Sequence, residues 1–398
     1  MAEPAPGRRP AVSRAYAAYA LGLLTVINLL NYLDRNVIFA LFEPIKRDLA
    51  LSDTQLGWLG SAYILVYSLA ALPFGILSDL RSRRAVIAGG VAVWSAFTFA
   101  SGAVRSFWQL FLCRAAVGVG EAAFAPAGSS LVADYFPGKG RAAAMAIWSS
   151  GLAFGGVLGL LLGGLLEARF GWRVAFMAVG VPGLVCALLA ARLVDPTRAH
   201  PPVRLSPLVL RRGLQHFVLQ FHPILLGTAL GGVAAVALHL RFGAGSDADM
   251  AALGAGVGAG VLLQIVYWVR AVRHSHPERT PLGDDVDDAL AELSEAVRRV
   301  LGTPTLVYVF LAGALISFGM NGIVGWGPTF VSRELGLDAA AAAKLLGGAG
   351  LVAGVAGTLA GGAIADTWYR RDGRARVFTV AIGLVAGSAL TLWVLTLR

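Results

Sequence analysis

Four ionisable residues lie inside long apolar runs and are the first candidates for chemistry. Asp34 and Arg35 fall in the segment 28–36, which reads Asn-Leu-Leu-Asn-Tyr-Leu-Asp-Arg-Asn. Arg114 and Glu121 fall in 114–121, which reads Arg-Ala-Ala-Val-Gly-Val-Gly-Glu. A charge at the centre of a bilayer costs about 2.5–3.5 kcal/mol on insertion scales, so it faces a bundle interior and has a partner or a task. Asn28, Asn31, Tyr32 and Arg35 recur at helical spacing and make one polar stripe. Arg114 and Glu121 lie two turns apart on one face, about 10.5 Å along a helix, with Gly118 between them. That gap leaves room for partners from a second helix. Asp34 and Arg114 are expected at one depth, which makes an Asp34–Arg114 or an Arg35–Glu121 pair geometrically accessible. Such a cluster can be an ion network that only fixes helix packing. It can also hold a carboxylate that gains and loses a proton during a cycle. Glu121, nearer the midplane, is the stronger candidate for that role, and Asp34 the next.

A second kind of motif borders the apolar runs. Gly75-Ile-Leu-Ser-Asp79-Leu-Arg81-Ser-Arg83-Arg84 joins two of them, and its charges require a water-facing turn. The same frame returns at Gly362-Ala-Ile-Ala-Asp366-Thr-Trp-Tyr-Arg370-Arg371. In each copy Asp follows Gly by four residues, and a basic residue follows Asp by four or five. Two copies so far apart point to two similar halves, the usual build of secondary transporters.

The composition sets the solvent for these elements. The 398-residue chain is 57% hydrophobic and 14% charged, against about a quarter charged for soluble domains. This is an all-α polytopic membrane protein. Its net charge of +10 follows from basic cytoplasmic loops and needs no nucleic-acid partner. Cys113 and Cys186 lie in apolar runs and read as buried small side chains, with neither a disulfide nor a metal site implied. The run after Arg8, Arg9 and Arg14 is too long for a signal-peptide core, so no cleavable signal is expected.

At roughly 20 apolar residues per span, helices are expected near 16–39, 55–77, 85–104, 107–131, 142–166 and 173–194, then near 223–240 and 250–270, then near 305–330, 341–365 and 375–397. This divides the chain into a cytoplasmic N-terminus at 1–15 and a six-helix half at 16–195. A central cytoplasmic linker follows at 196–304, with an inserted hydrophobic pair, and the start of a second half at 305–398. Lys and Arg concentrate in alternate segments, among them the three arginines at 81–84 and four at 370–376, which places the N-terminus in the cytoplasm. Within the linker, Val286, Leu290, Leu293 and Val297 follow helical spacing, with acids in the first turn and arginines in the last. An amphipathic surface helix is expected near 285–300.

Other features carry less. Gly151, Gly155, Gly159 and Gly163, and Gly350, Gly354, Gly357 and Gly361, form small-residue stripes that suggest close packing between the halves. Trp326-Gly-Pro328 is expected to end its helix as an interfacial anchor or a bend. His274 and His276 give only a weak metal signal. No glycine loop precedes a Lys-Ser/Thr pair, which removes an ATP-driven pump, and no catalytic triad or ligand set supports an enzyme. No cofactor is expected; a proton gradient is the driving force implied.

The turn at Gly75–Arg84 resembles the loop between the second and third helices of the major facilitator superfamily, and 114–122 resembles its fourth-helix motif. Asn31-Tyr-Leu-Asp34-Arg35, Leu51-Ser-Asp-Thr-Gln-Leu-Gly57, Gly118-Val-Gly-Glu121-Ala, Asp134-Tyr-Phe-Pro137 and Phe170-Gly-Trp-Arg173 are similar to the bacterial Spinster-like branch. The resemblance implies a helical bundle working by alternating access in a bacterial inner membrane. It implies proton-linked movement of a lipid-like or amphiphilic small molecule, with an organic anion as the alternative substrate. Asp34, Arg35, Arg114 and Glu121, with Asn31 and Tyr32, would line the coupling site. Gly75, Asp79, Arg81 and Arg84 would form the cytoplasmic gate, with Gly362, Asp366 and Arg370 as counterparts. That family has six helices per half. This sequence supplies six, an inserted pair and three, so the second half is expected to be incomplete. A non-transporting membrane scaffold or sensor is the competing expectation.

Overall fold

The computed structural model describes residues 12–80, 82–196, 207–242, 247–274, 295, 299–369 and 375–396. Among them the chain is helical, with no strand. The first-half helices are α1 (Arg14–Ala40), a short α2 (Phe42–Leu49), α3 (Asp53–Leu80), α4 (Arg83–Ser101), α5 (Phe107–Tyr135) and α6 (Arg141–Ala190). An inserted pair follows, α7 (Pro207–Phe242) and α8 (Asp247–His274). Then come α9 (Pro304–Leu335), α10 (Ala339–Tyr369) and α11 (Ala375–Thr396). Among the described residues seven helices are long and apolar enough to cross a membrane. α6 holds two of the expected spans, joined through Gly171, whose φ of 81° lies in a region open to glycine. The chain is an integral membrane protein.

Local signals explain the ends of the helices that carry the site. Ser13 caps α1 by accepting from the Tyr16 N–H at 3.2 Å. Ser106 caps α5 by accepting from the Gln109 N–H at 3.4 Å. Each bond satisfies one of the donors that a helix start leaves free. α2 was not expected from the hydropathy, because its eight residues are too short and too charged to register as a span.

Glycine sets the spacing between the first-half helices. A Cβ on Gly151 would meet Leu29 N at 2.8 Å, and one on Gly159 would meet Leu33 O at 2.6 Å. The first small-residue stripe therefore packs α6 on α1 within one half, and the expectation that it joins the two halves is corrected. Of the second stripe, Gly350, Gly357 and Gly361 have no atom within 4 Å of an added Cβ. A Cβ on Gly118 would meet Tyr63 O at 2.5 Å, and one on Gly120 would meet Gly90 O at 2.6 Å. These contacts bring α3 and α4 against α5.

Two apolar clusters result. One gathers Leu24, Ile27, Val91, Trp94, Phe124 and Leu131 toward the N-terminal face. The other gathers Val37, Phe42, Leu56, Leu110 and Phe176 toward the opposite face. Asp34 and Arg35 of α1 lie between Ile27 of the first cluster and Val37 of the second.

The inserted pair is joined by glycine as well. A Cβ on Gly231 would meet the Gly256 Cα at 2.9 Å, and one on Gly260 would meet the Ile224 Cα at 2.9 Å. α8 reaches the first half through α3, where a Cβ on Gly254 would meet Trp58 at 3.3 Å. α7 begins at Pro207, well before the hydrophobic stretch expected from 223, and carries Pro223 inside it. The amphipathic helix expected near 285–300 lies largely outside the described residues. Of it, Glu295, Arg299 and Val300 are described, and Glu295 and Arg299 pair at 3.3 Å.

Among the described residues, α9 meets α1 and α2 near its C-terminal end, where Gly325 adjoins Phe39. Trp326 packs on Phe42 with ring centroids 5.5 Å apart. α9 continues past Pro328 to Leu335, so the expectation that Trp326-Gly-Pro328 ends the helix is corrected. Toward the N-terminal face, Leu315, Phe318 and Met320 of α9 are exposed, and Gly319 and Gly322 adjoin open space.

Candidate functional site

Residues 28–35 of α1 and 114–121 of α5 face each other across the first half. Arg114 is fully buried and Asp34 is 2% exposed. Arg114 Nη1 donates to Asp34 Oδ1 at 2.9 Å, and Arg114 Nη2 lies 3.5 Å from the Asp34 backbone oxygen. Thr98 of α4 donates its hydroxyl to the other Asp34 oxygen. Thus α1, α4 and α5 each supply one member of a closed ion-pair unit. A buried pair of this kind is tolerated because each charge meets the other and extra hydrogen bonds fill the remaining sites.

The second pair is built differently. Arg35 Nε donates to Glu121 Oε2 at 2.6 Å. Glu121 is fully buried, while the Arg35 side chain keeps 14% of its surface exposed. Among the described residues, Nε makes the hydrogen bond of Arg35. Its two terminal nitrogens are therefore left for another acceptor. Three tyrosine rings surround the guanidinium, with centroids at 4.9 Å for Tyr32, 5.7 Å for Tyr63 and 4.6 Å for Tyr67. A cation over aromatic faces is held by their quadrupoles. Tyr63 serves both cations, since Arg114 also lies 5.6 Å from its ring. Glu121 Oε1, Arg114 Nε and Asn31 Nδ2 are buried without a hydrogen-bond partner among the described residues.

The structure brings Asp34, Arg35, Arg114 and Glu121 together with Asn31 and Tyr32. Asn28, on the same stripe, donates to the Trp148 carbonyl of α6 at 2.8 Å. Sequence reasoning missed Tyr63, Tyr67 and Thr98. Two tyrosines at i, i+4 in an apolar helix were a usable signal; a lone threonine was not.

The turn motif is less complete. Gly75 lies in α3, and Arg84 donates to the Leu193 carbonyl at 3.3 Å. Its neighbour Arg83 pairs with Asp134, and the Arg83 N–H donates to Asp195 Oδ2 at 3.0 Å. These contacts stay within the first half. The side chain of Asp79, and Arg81 altogether, lie outside the described residues. In the second copy Gly362 is exposed in α10; the Asp366 side chain and Arg370 are outside the description. His276, half of the weak metal signal, is outside it too. Among the described residues no group of three metal-binding side chains occurs.

On the face opposite the N-terminus, Arg333 of α9 donates to Glu43 Oε1 at 2.7 Å, to Asp53 Oδ2 at 2.9 Å and to Asp53 Oδ1 at 2.7 Å. Lys46 Nζ donates to Asp53 Oδ1 at 2.7 Å. Arg333 and then Lys46 hold the Asp53 carboxyl below the usual carboxylate range.

A family model described as Major Facilitator Superfamily matches residues 24–224. The chain belongs to the major facilitator superfamily. A second model, described as Organic Anion Transporter Polypeptide (OATP) family, matches residues 269–397. The chain is similar to an MFS-type efflux pump of Mycolicibacterium smegmatis, 37% identical over 189 residues, covering 47% of this chain and 44% of that one. It is similar to the sphingosine-1-phosphate transporter SPNS2 of Xenopus tropicalis, 31% identical over 173 residues, covering 43% and 34%. The Spinster-like resemblance of the first-half motifs is in accord with that match. The chain thus spans less than half the length of these curated relatives. Among solved structures, a peptide transporter POT in complex with sulfate aligns with TM-score 0.61 and 18% identity, covering 89% of this chain and 69% of that one. That likeness concerns the fold.

Proposed function

We propose that this major facilitator protein is a secondary transporter that moves an anionic, amphiphilic small molecule together with protons. The observation that carries the reading is the Arg35–Glu121 pair. Arg35 offers two terminal nitrogens from an aromatic collar, while its counter-charge is a single buried carboxylate. A proton on Glu121 removes that counter-charge and leaves Arg35 in need of another anion. Binding of a substrate anion and binding of a proton then favour each other, which is the thermodynamic content of coupling. The tyrosine faces suit the apolar part next to the head group. The match of residues 269–397 to an organic-anion family, and the printed substrate of the Xenopus relative, support an anionic substrate.

In this reading the N-terminus faces the cytoplasm of a bacterial inner membrane, as the basic segments suggest. Asp34 and Arg114 position α1, α4 and α5, and Glu121 carries the proton. The two halves alternate access around Arg35. The non-transporting alternative draws no support from any described contact.

The test is flux into proteoliposomes from a panel of lysolipids and organic acids under an imposed pH gradient. Wild-type protein is expected to concentrate at least one anionic member in response to the gradient. Glu121→Gln is expected to keep binding that anion but to lose the response. A Glu121→Gln variant with wild-type pH dependence would sink the coupling assignment. Arg35→Gln with wild-type affinity would sink the anion site.

A further inference from the structure

We propose that one water molecule is held between Glu121 Oε1, Arg114 Nε and Asn31 Nδ2, and that its hydrogen bond to Glu121 governs when that carboxylate takes its proton. The inference deepens the proton-coupled reading and rests on it. Asn31 is the positioning residue of the site. Glu121 and Arg114 have no exposed surface, and Asn31 keeps 3%. The three atoms lack a hydrogen-bond partner among the described residues. Buried polar atoms in folded proteins are nearly all paired, by protein or by ordered water. The chemistry of these three matches one water. Arg114 Nε and the Asn31 amide are donors, and an oxygen of ionised Glu121 is an acceptor. A water here accepts two bonds and gives one, and about three is the usual number for a buried water. A halide would meet the same two donors but would be repelled by the negative Oε1.

The backbone gathers the three residues around one space. α6 takes up the face of α1 that carries Leu29, Tyr32 and Leu33: a Cβ on Gly155 would meet Tyr32 Cβ at 2.9 Å, and one on Gly159 the Leu33 oxygen at 2.6 Å. Asn31 is on the other side of α1, one turn before Asp34 and Arg35 and between them around the helix. Those two side chains reach α5 at Arg114 and Glu121 respectively. Asn31 therefore stands at the gap between the two ion pairs. On α5, Gly118 is one turn from Arg114 and one from Glu121, and a Cβ there would meet the Tyr63 oxygen at 2.5 Å. α3 closes the gap on that side, with the Tyr63 ring near both cations. The two Glu121 oxygens then have different partners, Arg35 at Oε2 and the water at Oε1. The charged and titratable groups around Glu121 are Tyr32, Asp34 and Arg35 of α1, Tyr63 and Tyr67 of α3, and Arg114 of α5. α4 contributes the uncharged Thr98, through Asp34. A hydrogen bond given to a carboxylate favours its ionised form. The water thus opposes protonation of Glu121, and Asn31 acts by holding the water.

Two measurements on the full chain test this. A crystal structure at neutral pH is expected to show one water within hydrogen-bond distance of all three atoms. Absence of that water, or a direct protein partner for any of the three, would overturn the site. Infrared titration of the reconstituted protein then follows the carboxylic C=O band that is lost in Glu121→Gln. Asn31→Leu removes a donor to the water and is expected to move the midpoint of that band to higher pH, by about ten-fold in proton affinity. Arg114→Lys keeps a cation for Asp34 but has no Nε donor, and is expected to move it the same way. Asn31→Ser, whose hydroxyl can still donate, is expected to stay within about two-fold of wild type. Unchanged midpoints in Asn31→Leu and Arg114→Lys would overturn the role given to the water. So would a shift in Asn31→Ser as large as that in Asn31→Leu, since a donor would then not be what counts. If Asn31→Leu is not monodisperse, Arg114→Lys decides alone. A wild type with no titrating band at Glu121 would end the proton-coupled reading itself. The crystal structure decides the water site alone, so the two failures are distinguishable.

Discussion

Replacing Asp34 by Asn should damage the fold far more than replacing Glu121 by Gln, although both remove one buried carboxylate. Asp34 partners an arginine with no exposed surface. Asp34→Asn would leave the Arg114 charge buried without its counter-ion, a situation that costs about 3–5 kcal/mol. Glu121 partners an arginine that keeps 14% exposure and three aromatic faces. The Gln amide oxygen can still accept from Arg35 Nε, so the expected loss is nearer a single net hydrogen bond, about 1 kcal/mol. The two variants should therefore differ by about 2 kcal/mol or more, roughly a 30-fold difference in the folded-to-unfolded ratio. Removing both members, Asp34→Leu with Arg114→Leu, should recover most of the loss, because no buried charge is left unpaired. The assay is reversible unfolding of the full chain in mixed detergent micelles, followed by helicity and by tryptophan fluorescence. Equal losses for Asp34→Asn and Glu121→Gln, or additive losses in the double variant, would refute the reasoning.

Other outcomes follow from neighbouring contacts. Gly118→Val would drive Tyr63 and Tyr67 away from Arg35, and should abolish anion binding with a loss of about 1–3 kcal/mol in stability; ligand-protected thermal unfolding reads both. Tyr67→Phe should keep the affinity of the Arg35 site, and Tyr67→Ala should lower it about five-fold, a cation–π contribution of about 1 kcal/mol; equilibrium binding separates them. The Arg333–Asp53 pair should be insensitive to pH from about 5 to 8. The Asp53 carboxyl titrates below its unfolded value of about 3.9, so its contribution is complete above that value and is lost as pH falls through the lower folded one. Maleimide labelling of Gly57→Cys, placed beside Trp326 of α9 and normalised to an exposed thiol, checks this. Gly231→Val should separate α7 from α8 without weakening the Asp34–Arg114 unit, since the close contacts of Gly231 are with Ala252, Leu253 and Gly256 of α8; cross-linking within the pair and unfolding of the whole chain report each.

Much of the site could be read from the residues. A charge in an apolar run must find a partner, and helical periodicity limited the partners of Asp34 and Arg35 to a few positions on α5. Depth along each helix then matched Asp34 with Arg114. What periodicity could not supply was the neighbour on a third helix. Thr98 and Tyr63 are uncharged and sit in apolar runs, so their placement depends on how α3 and α4 rotate against α5. That rotation is set by contacts at Gly118 and Gly120 that have no counterpart in hydropathy. The same blindness misassigned the stripe from Gly151 to Gly163. Small residues announce close approach but not the helix approached. Arg333 carries no such signal in the sequence, because its partners are about 280–290 residues away.

The way the inserted pair is attached has a practical consequence. α7 and α8 bind each other through their backbones and lean on the rest of the protein chiefly at Trp58. They can therefore carry cargo of the experimenter's choosing. A fluorophore, an affinity handle or a rigid fiducial placed on their outward surface would ride with the first half and report its tilt. The same attachment on α1 or α6 would split a seam in which helices touch backbone to side chain, with no slack to absorb it.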